Sequence, residues 1–560
     1  MKRFEIMKGP LEGAHLLEAS AGTGKTYTIA DLYLRLILEK DLTVDRVLVV
    51  TFTNAATGEL RERLRSRLKG AFQALSGGPI EDAMPRELYE KFQGAEREAA
   101  LVRLRRAINF FDAAAVYTIH GFCRRMLLEN AFESGHLFDT DLVSDQSALL
   151  AEVVEDFWRR RFYEARPWIY RYGCDRLVPE ALAGIAAVFV ENPSLRVVPP
   201  PGELDEEALD KRIAGLFALF EEIGLLWKGQ KNEINGLIAA MTEKKLLKGT
   251  SYKEGDVDRR AAAMEIFLEK GDPAGDFDQL KFYTRSKLMR EARVPEDVSH
   301  HLFFQMCENF SQLRERLKTD FNDFLINLKH QLINYAAAEL AERKRAKNVR
   351  SFSDMLVNLH SALHGPGGEA LAAALRSSFP AALIDEFQDT DTLQYEIFTR
   401  IFNRSGGLLY LIGDPKQAIY RFRGADIYAY MAAARGTGSR ATLGRNWRSS
   451  PDLVRAVNTV FGRGKNPFVF DENLIGFPEV EPAPREAPAF SCDGLDSAPL
   501  QLWYLSASLA TAKTGRLAVG QAESLIAGAT AGEIARMLAL GREGKALIGD
   551  KPLAAGDIAV

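Results

Sequence analysis

Two apolar patterns alternate along the chain and predict different elements. Short, continuous apolar runs are typical of strands that are buried on both faces of a parallel sheet. They occur at His15–Glu18, Val47–Val50, Ala114–Thr118, Ala381–Ile384 and Leu408–Ile412. Apolar residues at helical spacing follow the first run, over Tyr27–Glu39. The order strand, loop, helix, strand predicts a doubly wound α/β domain.

A long segment with helical periodicity separates the third of these strands from the fourth. It predicts a helical domain over residues 146–349, inserted into an α/β domain that is formed by residues 1–145 and 350–440. Residues 441–560 are predicted to begin a second α/β domain. Because Asp557–Val560 has the pattern of a buried strand that has just started, we expect this second domain to be truncated.

Composition limits the class of protein. A chain of 560 residues exceeds the roughly 250–300 residues that one core supports, so we expect about two to four domains. The chain is 47% hydrophobic and 26% charged, the balance of a soluble globular protein. Its net charge of −4 excludes a global basic field, so a nucleic-acid surface must be a local groove.

The cysteines and the apolar runs indicate the compartment. Cys123, Cys174, Cys307 and Cys492 form no C-x-x-C pair, so neither a zinc site nor a disulfide framework is predicted, and a reducing cytoplasm fits best. No apolar run approaches the roughly 18 residues of a membrane span. We expect a soluble, cytoplasmic protein with no membrane partner.

A glycine-rich segment lies where the first strand gives way to the first helix. It consists of Ala19, Ser20, Ala21, Gly22, Thr23, Gly24, Lys25 and Thr26. Backbone N–H groups at such a turn form a cradle for phosphate groups. Lys25 is expected to reach the β- and γ-phosphates of a nucleotide, and Thr26 to bind Mg²⁺. Ala19 departs from the usual first glycine of this pattern, and a plain glycine-rich turn with a lysine in solvent is the alternative.

Two adjacent carboxylates, Asp385 and Glu386, follow the strand Ala381–Ile384 directly. Ligands of open α/β sheets bind at this carboxyl edge. Asp385 is expected to hold Mg²⁺, and Glu386 to orient and deprotonate an attacking water. Such a pair is also common at the start of a helix, as an N-cap and a first-turn charge. The phosphate-binding loop in the same sheet favours the catalytic interpretation.

A third polar segment, Gly413–Ala425, follows the strand Leu408–Ile412. Gln417 lies just beyond the sheet edge, where it is expected to sense the γ-phosphate. Phe422 lies between two arginines, which suits single-stranded DNA because bases stack on aromatic faces and arginines contact the phosphates. The alternative for Phe422 is a core position in a loop between strand and helix.

Together with three further blocks, these segments resemble the first helicase motifs of superfamily 1, in order and at fitting distances. The further blocks are Thr51–Ala56, Thr118–Cys123 and Asn446–Ser450. The residues of Leu17–Thr26, Ala131–Gly135 and Asp385–Asp391 are similar to the RecB type of the UvrD/Rep-like helicases, the beta subunits of exodeoxyribonuclease V. The resemblance covers essentially the whole chain and is weakest between about residues 175 and 340.

This resemblance implies a RecA-like P-loop NTPase motor domain, interrupted by a helical insertion and followed by an incomplete second RecA-like domain. It implies an ATP-dependent DNA helicase and translocase that moves 3′ to 5′ and uses ATP and Mg²⁺. The implied partners are single-stranded and double-stranded DNA and the RecC-like and RecD-like subunits of a complex that repairs double-strand breaks.

The resemblance also assigns roles to single residues. The positions that match DNA-gripping residues are Thr51, Phe52, Asn54, Thr118, His120 and Phe422. Gln388 and Gln417 match polar residues that couple the nucleotide state to the grip on DNA. Trp447 matches an aromatic residue that packs on adenine, and Arg448 matches an arginine that reaches the γ-phosphate.

Simpler interpretations exist for three of these residues. Phe52 is alternatively a core residue, His120 a core residue beside a helix N-cap, and Trp447 a packing residue between domains. The adenine-reading glutamine of many superfamily 1 helicases has no counterpart before Lys25, so the preference for ATP is implied by the resemblance alone.

Nothing after Arg448 resembles the later helicase motifs or a nuclease site, so this chain by itself is expected to be an impaired motor. An AddA-type subunit is one alternative, and a non-catalytic DNA-binding clamp is another. The retained Lys25, Thr26, Asp385 and Glu386 argue against the clamp. A small-molecule kinase with a phosphate-binding loop would leave Phe52, His120 and Phe422 unexplained.

Overall fold

The structure is a computed structural model of the 560-residue chain, and it divides into two compact units. Unit 1 comprises residues 1–140 and 351–560, and unit 2 comprises residues 141–350. The residues that the structure describes are 1–79, 83–130, 141–143, 145–163, 177–192, 195–202, 205–248, 252, 255–273, 278–294, 300–402, 407–420, 425–464, 467–468, 475–484, 488–495, 498–509 and 516–560.

A seven-stranded sheet forms the centre of unit 1. Its strands are β1 (Lys2–Arg3), β2 (Gly13–Glu18), β3 (Val47–Thr51), β4 (Val116–Thr118), β7 (Ala381–Ile384), β8 (Leu408–Gly413) and β9 (Ser439–Thr442). The strand order is β1-β9-β2-β8-β7-β3-β4, and every neighbouring pair is parallel. The predicted α/β fold with a parallel, RecA-like sheet is therefore confirmed.

The central strands are buried because helices cover both faces of a parallel sheet. All residues of β3, β7 and β8 are buried. The parallel direction places the carboxyl ends of β2, β3, β7 and β8 at one edge. The polar segments that follow these strands therefore converge at that edge.

Most of the helices of unit 1 pack on this sheet or on one another. They are α1 (Lys25–Glu39), α2 (Asn54–Leu75), α3 (Ala83–Lys91), α4 (Gly94–Asn109), α5 (Ile119–Glu129), α12 (Phe352–His364), α13 (Gly368–Ser378), α14 (Thr392–Phe402), α15 (Ile427–Gly436), α16 (Pro451–Gly462) and α17 (Val519–Arg542). Threonine hydroxyls begin two of them: Thr53 accepts from the Ala56 N–H, and Thr118 accepts from the Gly121 N–H. Helix α1 is buried along almost its whole length, which fixes the loop before it.

The last part of unit 1 contains short strands and one long helix. The strands are β10 (Arg445–Asn446), β11 (Glu481–Pro482), β12 (Phe490–Cys492), β13 (Ala546–Ile548) and β14 (Lys551–Pro552). The predicted strand at Asp557–Val560 is wrong. Asp557 ends a 3-10 turn, and Val560 is fully exposed and unpaired with any strand in the described chain.

Unit 2 is mainly helical in its described residues. Its helices are α6 (Ser147–Phe162), α7 (Pro179–Glu191), α8 (Glu206–Glu243), α9 (Asp256–Lys270), α10 (Arg285–Glu291) and α11 (Leu302–Lys347), and the strands β5 (Asp141–Val143) and β6 (Val349–Ser351) pair. Helix α11 contributes to two apolar clusters, one with α8 and α9 and one with α6 and α7. Among the described residues, no helix is both long and apolar enough to cross a membrane.

Candidate functional site

The glycine-rich loop lies between β2 and α1, at the carboxyl edge of the sheet. Gly22 and Gly24 have φ angles of 77° and 91°, in the left-handed region that glycine adopts without strain. The Thr23 N–H and hydroxyl both bond to the Ser20 carbonyl, at 3.1 and 2.7 Å. This turn directs the backbone toward the N-terminus of α1, where a phosphate group is stabilised.

Lys25 contacts Glu386 across the sheet edge. Its Nζ atom donates to Oε2 of Glu386 at 2.5 Å, and the two side chains are 12% and 36% exposed. The structure thus brings together a predicted phosphate-binding cation and a predicted general base. The carboxylate of Glu386 neutralises the ammonium group of Lys25 in this contact.

The adjacent Asp385 is partly buried and directly follows β7. Burial raises the pKa of this carboxyl group to about 6, the negative charge of Glu386 adds to the increase, and Lys25 opposes it. Glu386 has a φ of 49°, a left-handed conformation that is uncommon outside glycine and clusters at functional sites. The backbone therefore turns sharply at Glu386, directly after Asp385.

Thr26 and Asp385 were predicted to bind Mg²⁺, and their hydroxyl and carboxylate groups are donors that Mg²⁺ accepts. The described part of the chain contains no cluster of three or more His, Cys, Asp or Glu residues that could hold a metal. A fully protein-made metal cage is therefore not present in that part. The pair instead fits an ion that takes its other ligands from phosphate oxygens and water.

A network of amide and carboxylate groups connects the acid pair with the next strand end. Gln388 donates from Nε2 to Oε2 of Glu386 at 2.8 Å, and its Oε1 accepts from the Asp414 N–H at 2.9 Å. Asp414 in turn accepts from Nε2 of Gln417 at 2.6 Å. A Cβ at Gly413 would lie 2.6 Å from Oε1 of Gln388, so this close approach requires glycine.

The segment Asn446–Arg448 lies against the glycine-rich loop. The Trp447 N–H donates to the Gly22 carbonyl at 2.7 Å, and Nδ2 of Asn446 donates to the Ala21 carbonyl at 3.0 Å. A Cβ at Gly22 would lie 2.8 Å from Cβ of Arg448. Sequence analysis placed Trp447 and Arg448 at the nucleotide, and the geometry brings both beside the loop.

Asn446 organises this segment. Its Oδ1 accepts from the N–H groups of Arg448 and Ser449, both at 2.9 Å. The Trp447 side chain is 52% exposed, which leaves its ring available for a planar group. Sequence analysis gave Asn446 no role, because a polar residue in a two-residue strand carries no local signal of its partners.

The predicted DNA-gripping residues after β3 differ in exposure. Thr51 is buried, and its hydroxyl is within 2.7 Å of the Thr57 hydroxyl, at the start of α2. Phe52 is partly exposed and stacks on Tyr420, with ring centroids 6.3 Å apart and an angle of 19° between the rings. Asn54 is exposed in the first turn of α2. The surface at this strand end is thus aromatic and polar.

The residues predicted after β4 are partly buried. Thr118 caps α5 through its hydroxyl, and His120 lies edge-on to Phe352 at 6.1 Å between ring centroids. Burial lowers the pKa of His120, so its ring is neutral at pH 7. Phe422 lies outside the described residues.

Comparisons with known proteins show the family to which the chain belongs. The family model of the UvrD/REP helicase N-terminal domain matches residues 3–436. The RecBCD enzyme subunit RecB of Escherichia coli (strain K12) is 36% identical over 582 positions, which cover 100% of this chain and 46% of that protein.

Two further RecB subunits are also similar. The subunit of Haemophilus influenzae is 34% identical and covers 82% of this chain and 41% of its own length. That of Mycobacterium tuberculosis (strain ATCC 25618 / H37Rv) is 30% identical and covers 82% of this chain and 31% of its own length. The chain spans less than half the length of these relatives.

Proposed function

Because the chain belongs to the UvrD/REP helicase family, we propose that it is the ATP-hydrolysing motor portion of a DNA helicase subunit of the RecB type. The contact between Lys25 and Glu386 carries this proposal, since it brings the phosphate-binding cation to the general base. A DNA-binding clamp would have no use for this pair, and the pair is joined to Gln388, which reaches the neighbouring strand end.

Hydrolysis follows from the groups at the sheet edge. The phosphate groups of ATP draw the Lys25 ammonium away from Glu386. The freed carboxylate accepts a proton from the attacking water. Thr26 and Asp385 would hold Mg²⁺, which would supply positive charge to the phosphate oxygens when bound. Gln417 is held by its hydrogen bond to Asp414, and in this mechanism it contacts the γ-phosphate.

The exposed segment after β10 completes the nucleotide site. Trp447 presents its ring beside the loop for the adenine base, and Arg448 reaches the γ-phosphate. We assign residues 441–560 to the beginning of a second RecA-like domain and residues 146–349 to a helical insertion domain. In this scheme ATP draws the two RecA-like domains together, and hydrolysis releases them.

DNA binds along the same sheet edge, beyond the nucleotide. Phe52 and Phe422 stack on bases, and Asn54 and His120 contact the strand. Thr51 and Thr118 support this surface because their hydroxyl groups form hydrogen bonds at the starts of α2 and α5. Alternating grip by the two domains moves the protein along single-stranded DNA in the 3′ to 5′ direction.

The printed names of the relatives describe a subunit of the RecBCD enzyme. We infer that this protein assembles with RecC-like and RecD-like subunits in the cytoplasm and processes double-stranded DNA ends for break repair and recombination.

The test is DNA-stimulated ATP turnover by the full-length protein, measured with and without single-stranded DNA at fixed salt. We expect turnover that depends on both DNA and Mg²⁺. DNA binding without ATP turnover would favour the clamp. Turnover that ignores DNA would favour a different P-loop enzyme.

A further inference from the structure

A buried lysine joins two strand ends beside the nucleotide site. Nζ of Lys416 lies 2.8 Å from Oε1 of Glu18 and 2.7 Å from Oδ1 of Asp414. The three side chains are 11%, 1% and 3% exposed. Glu18 is the last residue of β2, directly before the glycine-rich loop, and Asp414 directly follows β8.

Lys416 is charged in this position. Burial alone lowers the pKa of its ammonium group, but Glu18 and Asp414 more than offset that effect, and the pKa is raised. Glu18 has a second cation nearby, since Arg440 lies 3.9 Å from its other carboxylate oxygen. Loss of the Lys416 charge would therefore leave Asp414, more than Glu18, without compensation.

Asp414 is the residue that holds Gln417. Its Oδ1 contacts Lys416, and its Oδ2 accepts from Nε2 of Gln417 at 2.6 Å. Its N–H donates to Gln388, which also bonds to Glu386. A chain of hydrogen bonds thus runs from the strand before the glycine-rich loop, through the turn that carries Gln417, to the acid that contacts Lys25.

We propose that Lys416 is a positioning residue that ties β2 to the turn 414–417 and thereby makes ATP turnover respond to DNA. The proposal rests on the proposed function. The same turn leads to Tyr420, which stacks on Phe52 at the surface where DNA is proposed to bind. The ammonium group of Lys416 contacts Glu18 and Asp414, so its effect on the nucleotide site passes through Asp414 to Gln417.

A purely structural role makes a different prediction. A buried ion pair often contributes little net stability, because desolvation offsets the attraction. If Lys416 only stabilised the fold, its replacement would lower the unfolding temperature and reduce all activities in proportion. If it positions Gln417, DNA-stimulated turnover falls while the KM for ATP is retained.

The variants for the test are Lys416→Met, which removes the charge at similar length, and Lys416→Arg, which keeps it. Lys40→Met is the matched control, because Lys40 also pairs with a glutamate, Glu12, at 2.6 Å but on the surface. The measurements are kcat and KM for ATP with and without single-stranded DNA, and the unfolding temperature, in the full-length protein.

We expect Lys416→Met to lower DNA-stimulated kcat at least about tenfold, with less than about a threefold change in the KM for ATP. Lys416→Arg should recover a substantial part of the stimulation, and Lys40→Met should retain all of it. If Lys416→Met does not fold, Glu18→Gln replaces it, and we expect a smaller loss of stimulation because Lys416 still holds Asp414.

Unchanged DNA stimulation of ATP turnover in Lys416→Met would overturn the proposal. If Lys416→Met does not fold, unchanged stimulation in Glu18→Gln would overturn it instead. A loss of kcat that is equal with and without DNA would also overturn it. Lys25→Ala separates this result from failure of the proposed function. If Lys25→Ala still hydrolyses ATP, the proposed function fails. If Lys25→Ala is inactive and Lys416→Met behaves as wild type, only the role of Lys416 fails.

Discussion

Nζ of Lys25 lies 2.5 Å from Oε2 of Glu386, so the cation and the carboxylate of this ion pair neutralise each other. In the proposed mechanism, a nucleotide competes with Glu386 for Lys25. The same competition would free the carboxylate to act as the general base. The proposal therefore links substrate binding and activation of the base through one contact.

Lys25→Ala should abolish ATP hydrolysis and leave nucleotide-free DNA affinity nearly unchanged, because Lys25 contacts the nucleotide site and not the DNA surface. ATP turnover and a DNA titration by fluorescence anisotropy measure the two effects. Lys40→Ala, which removes a lysine from an exposed ion pair with Glu12, is the control. Normal turnover in Lys25→Ala would remove the phosphate-binding assignment.

Glu386→Gln should bind ATP at least as tightly as the wild type, because the amide neutralises Lys25 less well. Hydrolysis should fall by roughly 10²–10⁴, the usual contribution of a general base. Single-turnover hydrolysis and equilibrium ATP binding check the two parts. Glu12→Gln is the control on the surface. Loss of ATP binding together with turnover would mean that Glu386 has a structural role.

Trp447→Ala should raise the KM for ATP and change kcat little, because the ring binds the base and not the reacting phosphate. Aromatic stacking contributes roughly 0.5–1.5 kcal/mol, which corresponds to about a two- to twelvefold change in KM. Trp503→Ala is a matched control, since Trp503 is similarly exposed, at 58% against 52%. Equal effects of the two substitutions would contradict the assignment of Trp447.

Phe52→Ala should weaken single-stranded DNA binding by roughly 1–3 kcal/mol, about five- to 150-fold, with little dependence on base sequence. The stack on Tyr420 holds the Phe52 ring in place before DNA arrives. Phe110→Ala controls for loss of an exposed aromatic residue elsewhere in unit 1. An unchanged affinity at fixed salt would mean that Phe52 only packs within the protein.

Asn446→Ala should destabilise the contact between the segment 446–448 and the glycine-rich loop. The substitution removes the bond to the Ala21 carbonyl and the two bonds that Oδ1 accepts from the N–H groups of Arg448 and Ser449. The free energy of unfolding should fall by about 1–3 kcal/mol. We expect a lower unfolding temperature and a higher KM for ATP. Asn109→Ala, at the exposed end of α4, should leave both nearly unchanged. Wild-type values in Asn446→Ala would show that the backbone hydrogen bond from Trp447 to Gly22 is enough to hold the segment 446–448 against the loop.

The buried strands could be predicted because their apolar runs are local. Val47–Val50, Ala381–Ile384 and Leu408–Ile412 correspond to β3, β7 and β8 within one residue at each end. Strand β9 was missed, because its sequence Ser439–Thr442 is polar and only its pairing with β2 and β1 makes it a strand. At Asp557–Val560 the same apolar rule failed, since no partner strand pairs with it among the described residues.

The candidate site also contains residues that a local sequence pattern predicts and residues that only a long-range contact identifies. The glycine-rich loop and the acid pair are contiguous in sequence, so their chemistry was visible before their geometry. The contact of Lys416 with Glu18 joins residues 398 positions apart, and no local pattern indicates it. One signal was present: Glu18 ends an otherwise apolar strand, and a charge in a buried position requires a partner.

The two hydrogen bonds from Asn446 and Trp447 to the glycine-rich loop fix one point at the margin of the nucleotide site. Because these bonds join the loop directly to the chain after residue 446, a rearrangement of the loop that preserves them would carry that chain with it.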